Sequence, residues 1–432
     1  MAKLEQVFGV SNELVLSYVA RQGVDDRLQS ALQGKKHTII YGASKQGKTS
    51  LIFKHLKEKE YARILCSPTS TREKLYNTLL GSAGARIVES ETKGFSFGLQ
   101  IDASGKVGGI ASLLSGVEAE AALEGKGERA SEKVIRTIPM DLSSVQDVFR
   151  ALQQTGWASR KIVLDNFHYL PEETQSELAY DLRLWNDLDV AFIIIGIWKR
   201  DNYMQAQNPE LTDRVVEIPV EPWTEKHFTE VIREGEPHLN ITINDKIVHR
   251  LASEANGSIG VFQELTKNYC RENDVYETRA APHNLQTTEA IAKALVIKAG
   301  EYDSTYKQQL LRFSLSDKPG KENPLYLKYY LTKFVIDTPI LRLDQGVRKV
   351  ELVDYIEKNL HRTVNRNVLN SQLGALLQKL QKAQADIKIP PLFQYSGTLF
   401  RVIDPVFSFY MKHADKAALR DDLVFPADAD SV

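Results

Sequence analysis

Cysteine is scarce in this 432-residue sequence, with only Cys66 and Cys270 present. They lie far apart, without a CxxC pair or a His/Cys cluster, so neither a zinc site nor a redox motif can be drawn and a reducing compartment is expected. Net charge is also lacking: 55 Lys+Arg against 56 Asp+Glu leave -1, which excludes a wholly basic nucleic-acid coat and a disordered acidic chain. Long apolar runs are missing. The longest, Val190 to Trp198, has nine residues, about half of what a bilayer crossing needs. The start has no basic flank, apolar core and small-residue cleavage site, so no export signal and no membrane partner are expected, and the reading is cytoplasmic. No internal repeat of 20 to 50 residues is visible. At roughly 100 to 200 residues per domain, the length allows two or three domains.

The apolar residues that are present change period along the chain. Leu14, Leu16, Val19, Leu28 and Leu32 suit one helical face over 12–33. The β-branched run Thr38-Ile39-Ile40-Tyr41 then stops at Gly42, and helix-forming residues resume after Ser50, which gives strand, glycine loop, helix. Further apolar runs at 62–66, 161–164, 190–195 and 215–220 are separated by segments long enough for crossover helices. This order predicts an α/β fold with a parallel sheet covered on both faces. Residues 94–127 hold 8 glycines in 34 positions and read as a surface insertion, partly hairpin and partly mobile, or as a partner-contacting loop.

After Pro222-Trp223 the pattern is helical to about residue 271, and again over 284–315. Two prolines and a glycine within 317–324 mark a boundary. Helical stretches at 325–334, 347–359 and 365–384, then apolar runs at 392–395 and 399–403 around Ser396-Gly397, predict a mainly α winged-helix domain. The expected domains are thus 1–35, a helical lead-in; 36–222, the sheet core with its insertion; 223–316, a helical lid and linker; 324–415, the winged helix; and 416–432, a tail.

Gly42-Ala43-Ser44-Lys45-Gln46-Gly47-Lys48-Thr49 satisfies G-x-x-x-x-G-K-[ST] between a strand and a helix. Glycines let backbone N–H groups wrap a phosphate, the helix N-terminus beginning near Ser50 adds its dipole, Lys48 reaches the outer phosphates and Thr49 can hold Mg²⁺. The motif predicts binding of a nucleoside triphosphate, ATP with Mg²⁺. Its partner is a carboxylate ending a buried strand, and Lys161-Ile162-Val163-Leu164-Asp165 supplies it, making Asp165 the expected metal-organising group. Asn166 follows. An amide cannot take a proton at neutral pH, so hydrolysis is expected to be slow unless His168 or Glu172 replaces it as base.

Arg200 and Asn202 follow the core run 190–195, where parallel sheets place ligand sites, and are candidate γ-phosphate sensors or solvated loop groups. Arg214 precedes the last core strand and is a candidate arginine finger toward a neighbour's triphosphate, or an intramolecular partner of Asp213 or Glu217. Residues 324–385 hold 10 Lys+Arg and 5 Asp+Glu, a balance of +5, with Arg362, Asn365, Arg366 and Asn367 around the start of the third helix. That placement suits a recognition helix on double-stranded DNA, or a protein-docking module of similar charge.

The order of these features resembles P-loop ATPases of the AAA+ and STAND group, nearest in layout to the origin-recognition ATPases and to the archaeal-ATPase family with its C-terminal winged helix. By resemblance, Tyr18-Val19-Ala20-Arg21 matches the short helical lead-in that holds adenine, implicating Tyr18 and Arg21 in nucleotide binding. Val220-Glu221-Pro222-Trp223 resembles the exit into the lid, and Phe400-Arg401-Val402-Ile403-Asp404-Pro405 the end of the wing. The resemblance also implies that Val190 to Ile195 lies between the P-loop strand and the Asp165 strand. Two departures stand out: Asn166 where many members carry a Glu base, and Gly260 where many present the sensor-2 arginine. The group implies an ATP-dependent oligomeric switch, of the kind used in defence against phage, or a DNA-bound loader or remodeller. A regulatory subunit acting on a separate effector protein is a third class.

Overall fold

The computed structural model describes residues 1–90, 96–101, 136–157, 160–198, 203–317 and 325–426. Contacts divide the chain into two compact units, one of Arg21–Gly42 and Leu51–Val220, the other of Met1–Ala20, Ala43–Ser50 and Glu221–Val432.

The first unit is built on a sheet of β1 (His37–Tyr41), β2 (Tyr61–Leu65), β6 (Lys161–Asp165), β7 (Phe192–Gly196) and β8 (Val215–Pro219). All its pairings are parallel, in the order β2-β6-β7-β1-β8. The strand of run 190–195 therefore lies between the P-loop strand and the Asp165 strand, as the resemblance implied. Successive side chains point to opposite faces, and both faces are covered. Ile39, Ile64, Leu164 and Ile194 join one core with Leu75, Leu79, Val148, Leu182 and Trp185 from helices Arg72–Ser82, Val145–Gln154 and Glu172–Asp187. Ile40, Val163, Ile193 and Ile195 join the other with Leu28, Leu51 and Ile52. Continuous apolar runs without alternation follow from this two-sided burial.

Between β2 and β6 stand β3 (Arg86–Ser90), β4 (Ser96–Ile101) and β5 (Arg136–Met140), an antiparallel three-stranded sheet. The glycine-rich stretch contributes β4, and its remaining residues lie outside those described.

The helix expected over 12–33 is corrected to Asp25–Gln33. Upstream, the Leu16 N–H donates to the Gln6 carbonyl at 2.8 Å and the Ser17 hydroxyl to the Val7 carbonyl at 2.6 Å, so local polar groups serve tertiary bonds instead of a helical ladder. Gly23 then takes φ +88°, outside the helical region.

In the second unit, helices Glu225–Leu239, Asp245–Glu254 and Ile259–Arg271 form the lid, with β9 (Ile241–Ile243) and β10 (His283–Leu285) paired in parallel, a strand pair the helical periodicity hid. The long helix Glu289–Leu315 follows. The winged helix comprises helices Leu327–Asp337, Ile340–Gln345, Lys349–Asn359 and Arg366–Gln378 with β11 (Val347–Arg348), β12 (Phe393–Ser396) and β13 (Leu399–Val402). Its antiparallel sheet runs β11-β13-β12. The stretch 365–384 breaks at Lys379 into two helices. Lid, long helix and winged helix share one core, with Tyr306 of the long helix 5.3 Å from Phe407 and 5.5 Å from Tyr410 between ring centres. Among the described residues no helix is long and apolar enough to cross a membrane.

His37 opens β1 fully buried in the first unit. Its Nε2 lies 2.7 Å from the Leu182 carbonyl and its Nδ1 accepts the Phe192 N–H at 3.0 Å, which fixes a neutral imidazole with the proton on Nε2. Burial brings its pKa from 6.5 to about 4; the hydrogen bond to the Leu182 carbonyl opposes the shift, and the charges of Arg214 and Lys161 add to it. A depressed folded pKa makes this contribution full above about 6.5 and lost as pH falls through about 4. Urea unfolding at pH 7 and pH 4 should therefore show the wild type losing on the order of 2–3 kcal/mol more than His37→Gln; equal losses would contradict the assignment.

Candidate nucleotide-binding site

The chain leaves β1 at Tyr41 and enters the helix Lys48–His55, with the P-loop between them. Gly42, Lys45 and Gly47 take φ of +148°, +58° and +81°, values costly for any residue with a Cβ. Lys48 is buried and its ammonium donates to the Ala43 carbonyl at 2.5 Å, across the loop. Gln46 is buried, and its side-chain Nε2 meets no acceptor within hydrogen-bond distance. A helix N-terminus, a buried ammonium and a buried amide donor form a set suited to phosphate. A carboxylate stands beside them: Glu221 Oε1 takes the Ala43 N–H at 2.6 Å.

Lid residues hold the same loop. The Trp223 indole N–H donates to the Gln46 carbonyl at 3.3 Å, and the Gly260 N–H donates to the Lys45 carbonyl at 3.0 Å. A Cβ at position 260 would stand 2.5 Å from Lys45 Cβ and 2.8 Å from its carbonyl oxygen. Position 260, where the resemblance would set an arginine, therefore has no room for a side chain against the P-loop backbone.

Lys45 leads from the loop into a charged network. Its ammonium lies 4.9 Å from the centre of the Tyr302 ring, and Lys298 lies 4.7 Å from the same centre. Burial first and Lys298 next push the Lys45 pKa down. Lys298 is held by Glu264 at 3.0 Å and Glu301 at 2.5 Å. Burial would raise the Glu264 carboxyl, but hydrogen bonds from Lys267 and the Val10 N–H, with Lys298 beside it, bring it to about 2. The Gly9 N–H binds Gln263 Oε1 at 3.1 Å. From the winged helix, buried Asp404 accepts the Tyr306 hydroxyl at 3.0 Å and caps Pro405–His413; burial raises its pKa, and nearby Lys45 opposes that rise.

In the first unit, Asp165 ends β6 with 3 % of its surface exposed. Its Oδ1 accepts the Asn166 N–H at 2.8 Å, and its Oδ2 accepts two bonds from Arg63 of β2, from Nε at 3.0 Å and Nη2 at 2.6 Å. Sequence reading missed Arg63; the available signal was one cation in the middle of a short strand. Asn166 turns the chain at φ +62°. Cys66 follows β2, and burial, with the Asp165 charge adding to it, raises its thiol pKa to about 12. The His168 ring packs 4.2 Å from Tyr169, and Glu172 is exposed at a helix start. Among the described residues no group of three or more His, Cys, Asp or Glu is assembled for a metal. A single buried carboxylate such as Asp165 fits Mg²⁺, which usually takes one or two carboxylates and completes its shell with phosphates and water.

The other candidates fall in varied places. The lead-in around Tyr18 is not helical, which corrects that expectation. Arg21 is buried, and its guanidinium donates to the Val220 carbonyl at 2.6 Å. Arg214 pairs with Asp187 at 2.8 Å and donates to the Arg183 carbonyl at 3.1 Å, so its observed partner is one the sequence reading did not consider. Arg200 and Asn202 lie outside the described residues. Asn365 caps the helix Arg366–Gln378. Arg366 is held by Asp354 and Glu357, and no other Lys or Arg occurs in Arg366–Gln378, so the +5 balance sits elsewhere in the winged helix.

No family model and no curated protein matches the sequence. Among solved structures, a Walker-type ATPase of Pyrococcus abyssi is similar, with a TM-score of 0.52 and 15% identity over 92% of this chain and 99% of that one. Aeropyrum pernix ORC1 in complex with DNA has a TM-score of 0.41 and 14% identity, covering 94% of this chain and 92% of its own. A Thermotoga maritima RuvB variant has 0.39 and 13%, covering 92% and 96%. The first likeness establishes the fold: that of a P-loop ATPase.

Replacing Gly260 by Ala should cost about 1–3 kcal/mol in urea unfolding, through overpacking against Lys45. Gly300→Ala should instead stabilise by about 0.5–1 kcal/mol, since it is exposed in the long helix with nothing within 4 Å of its added Cβ. A neutral Gly260→Ala would contradict the close approach.

Proposed function

We propose that this chain is an ATP-binding switch with slow hydrolysis, and the carrying observation is the donor-rich P-loop held by the lid. Backbone N–H groups and Lys48 would bind the β- and γ-phosphates, Thr49 would be the loop's own Mg²⁺ ligand, Asp165 is the proposed metal-organising carboxylate, and the metal would supply charge neutralisation. Asn166 cannot accept the proton of an attacking water, so turnover in the isolated chain is slow. Nucleotide state reaches the winged helix through Gly260, Lys45 and the Glu264–Lys298–Tyr302 network, which supports a switch over a loader.

The DNA-binding loader remains the second reading. The helix Arg366–Gln378 offers Asn367, Asn370 and Ser371 on exposed positions, but Arg366 must leave two carboxylates before it can meet a phosphate. Assembly through Arg214, and action on a separate effector, belong to the switch reading; the former requires Arg214 to exchange Asp187 for a neighbour's phosphate.

Titration with a fluorescent ATP analogue tests the site. Lys48→Ala should weaken binding by about 100-fold, as loss of a charged buried contact implies, while the melting temperature without nucleotide stays close to wild type. Asn166→Glu should raise turnover if that position faces the attacking water. Unchanged affinity in Lys48→Ala would overturn the assignment.

A further inference from the structure

The Asp165 carboxylate already has a cation. Arg63 and Asp165 lie on the adjacent parallel strands β2 and β6, in a register that places Leu65 beside Asp165 and Arg63 beside Val163. From two residues back, the guanidinium reaches forward and gives both its bonds to Oδ2, while Oδ1 is taken by the Asn166 N–H. The carboxylate side chain is 4 % exposed, whereas that of Arg63 is 36 % exposed, so the acid is fixed and the base stands at the rim. The guanidinium carbon also lies 5.4 Å from the centre of the Phe53 ring, an aromatic shelf that favours the delocalised cation.

This arrangement conflicts with direct metal ligation. Mg²⁺ needs carboxylate oxygens at about 2.0–2.1 Å and would be repelled by a guanidinium on the same oxygen. An arginine never titrates away in the accessible pH range, so it leaves only by moving.

We propose that Arg63 is a tethered counter-cation that holds Asp165 before metal arrives and sets the Mg²⁺ concentration at which the site engages. The proposal rests on the reading of Asp165 as a metal-organising group. Arg63 is a positioning residue here: it acts through Asp165. When a divalent cation binds, the guanidinium swings outward from its half-exposed position, and the carboxylate exchanges one positive partner for another without passing through an unpaired buried state. Such a state would be costly, and its avoidance explains why a cation sits at the rim at all.

The test is a Mg²⁺ titration of ATP-analogue affinity on the full chain, paired with melting temperature against Mg²⁺ without nucleotide. Arg63→Gln should lower the Mg²⁺ midpoint about tenfold, corresponding to the loss of one competing charge-assisted contact. Its melting temperature should drop without metal and recover with Mg²⁺, while the wild type shows no such recovery. Arg63→Lys, which keeps the charge, should fold like wild type and give a midpoint between the two. An unchanged midpoint in both Arg63 variants, with Asp165→Asn raising it, would overturn the proposal and leave Arg63 structural. Wild-type Mg²⁺ dependence in Asp165→Asn would instead remove Asp165 as the metal-organising group, and the proposal with it.

Discussion

The amide of Gly260 donating to the carbonyl of Lys45 constrains everything around the phosphate loop. A P-loop needs its backbone in conformations that ordinary residues resist, and here Lys45 itself holds a positive φ. Such strain costs of order 1 kcal/mol and persists only where neighbours over-determine it. The lid provides that: Gly260 binds one peptide of the loop, Trp223 the next, and Glu221 the amide of Ala43. A side chain at position 260 would crowd the first of these contacts, so the fixed loop requires glycine there.

What fixes the loop also ties it to distant parts of the same unit. Two ammonium groups share the Tyr302 ring, and their mutual repulsion is offset by Glu264 and Glu301. Glu264 simultaneously holds the Val10 N–H, so the N-terminal segment, the lid helix and the long helix meet on one carboxylate. Buried charges of this kind contribute little net stability but lose several kcal/mol when a partner is removed. A phosphate that draws Lys45 away from Tyr302 would therefore be felt at Lys298 and, through Tyr306 and Asp404, in the winged helix.

Much of this was legible in the sequence, for reasons that differ by element. The P-loop declares itself because phosphate binding demands glycines and a lysine at fixed spacing, and the buried strands because isoleucines on both faces leave no alternation. The position of Asp165, buried at a strand end, was legible from the apolar run that precedes it. The wing hairpin was legible from Ser396-Gly397 between two apolar runs. Arg63 was not, since its partner is 102 residues away and only the parallel register aligns them. Nor was the cause of Gly260, because a missing side chain has no signal of its own until the surface it meets is known. The false helix over 12–24 came from leucines whose spacing matched a helical face while their backbone groups bonded elsewhere.

The central claim is that nucleotide is held by the loop that the lid fixes. Hydrogen–deuterium exchange of the full chain with and without saturating ATP and Mg²⁺ tests it most directly. The account predicts slowed exchange at residues 43–50 and at the start of the lid helix, 259–262, with neither change in Lys48→Ala. Saturating ATP that leaves the amides of 43–50 exchanging as before would contradict it.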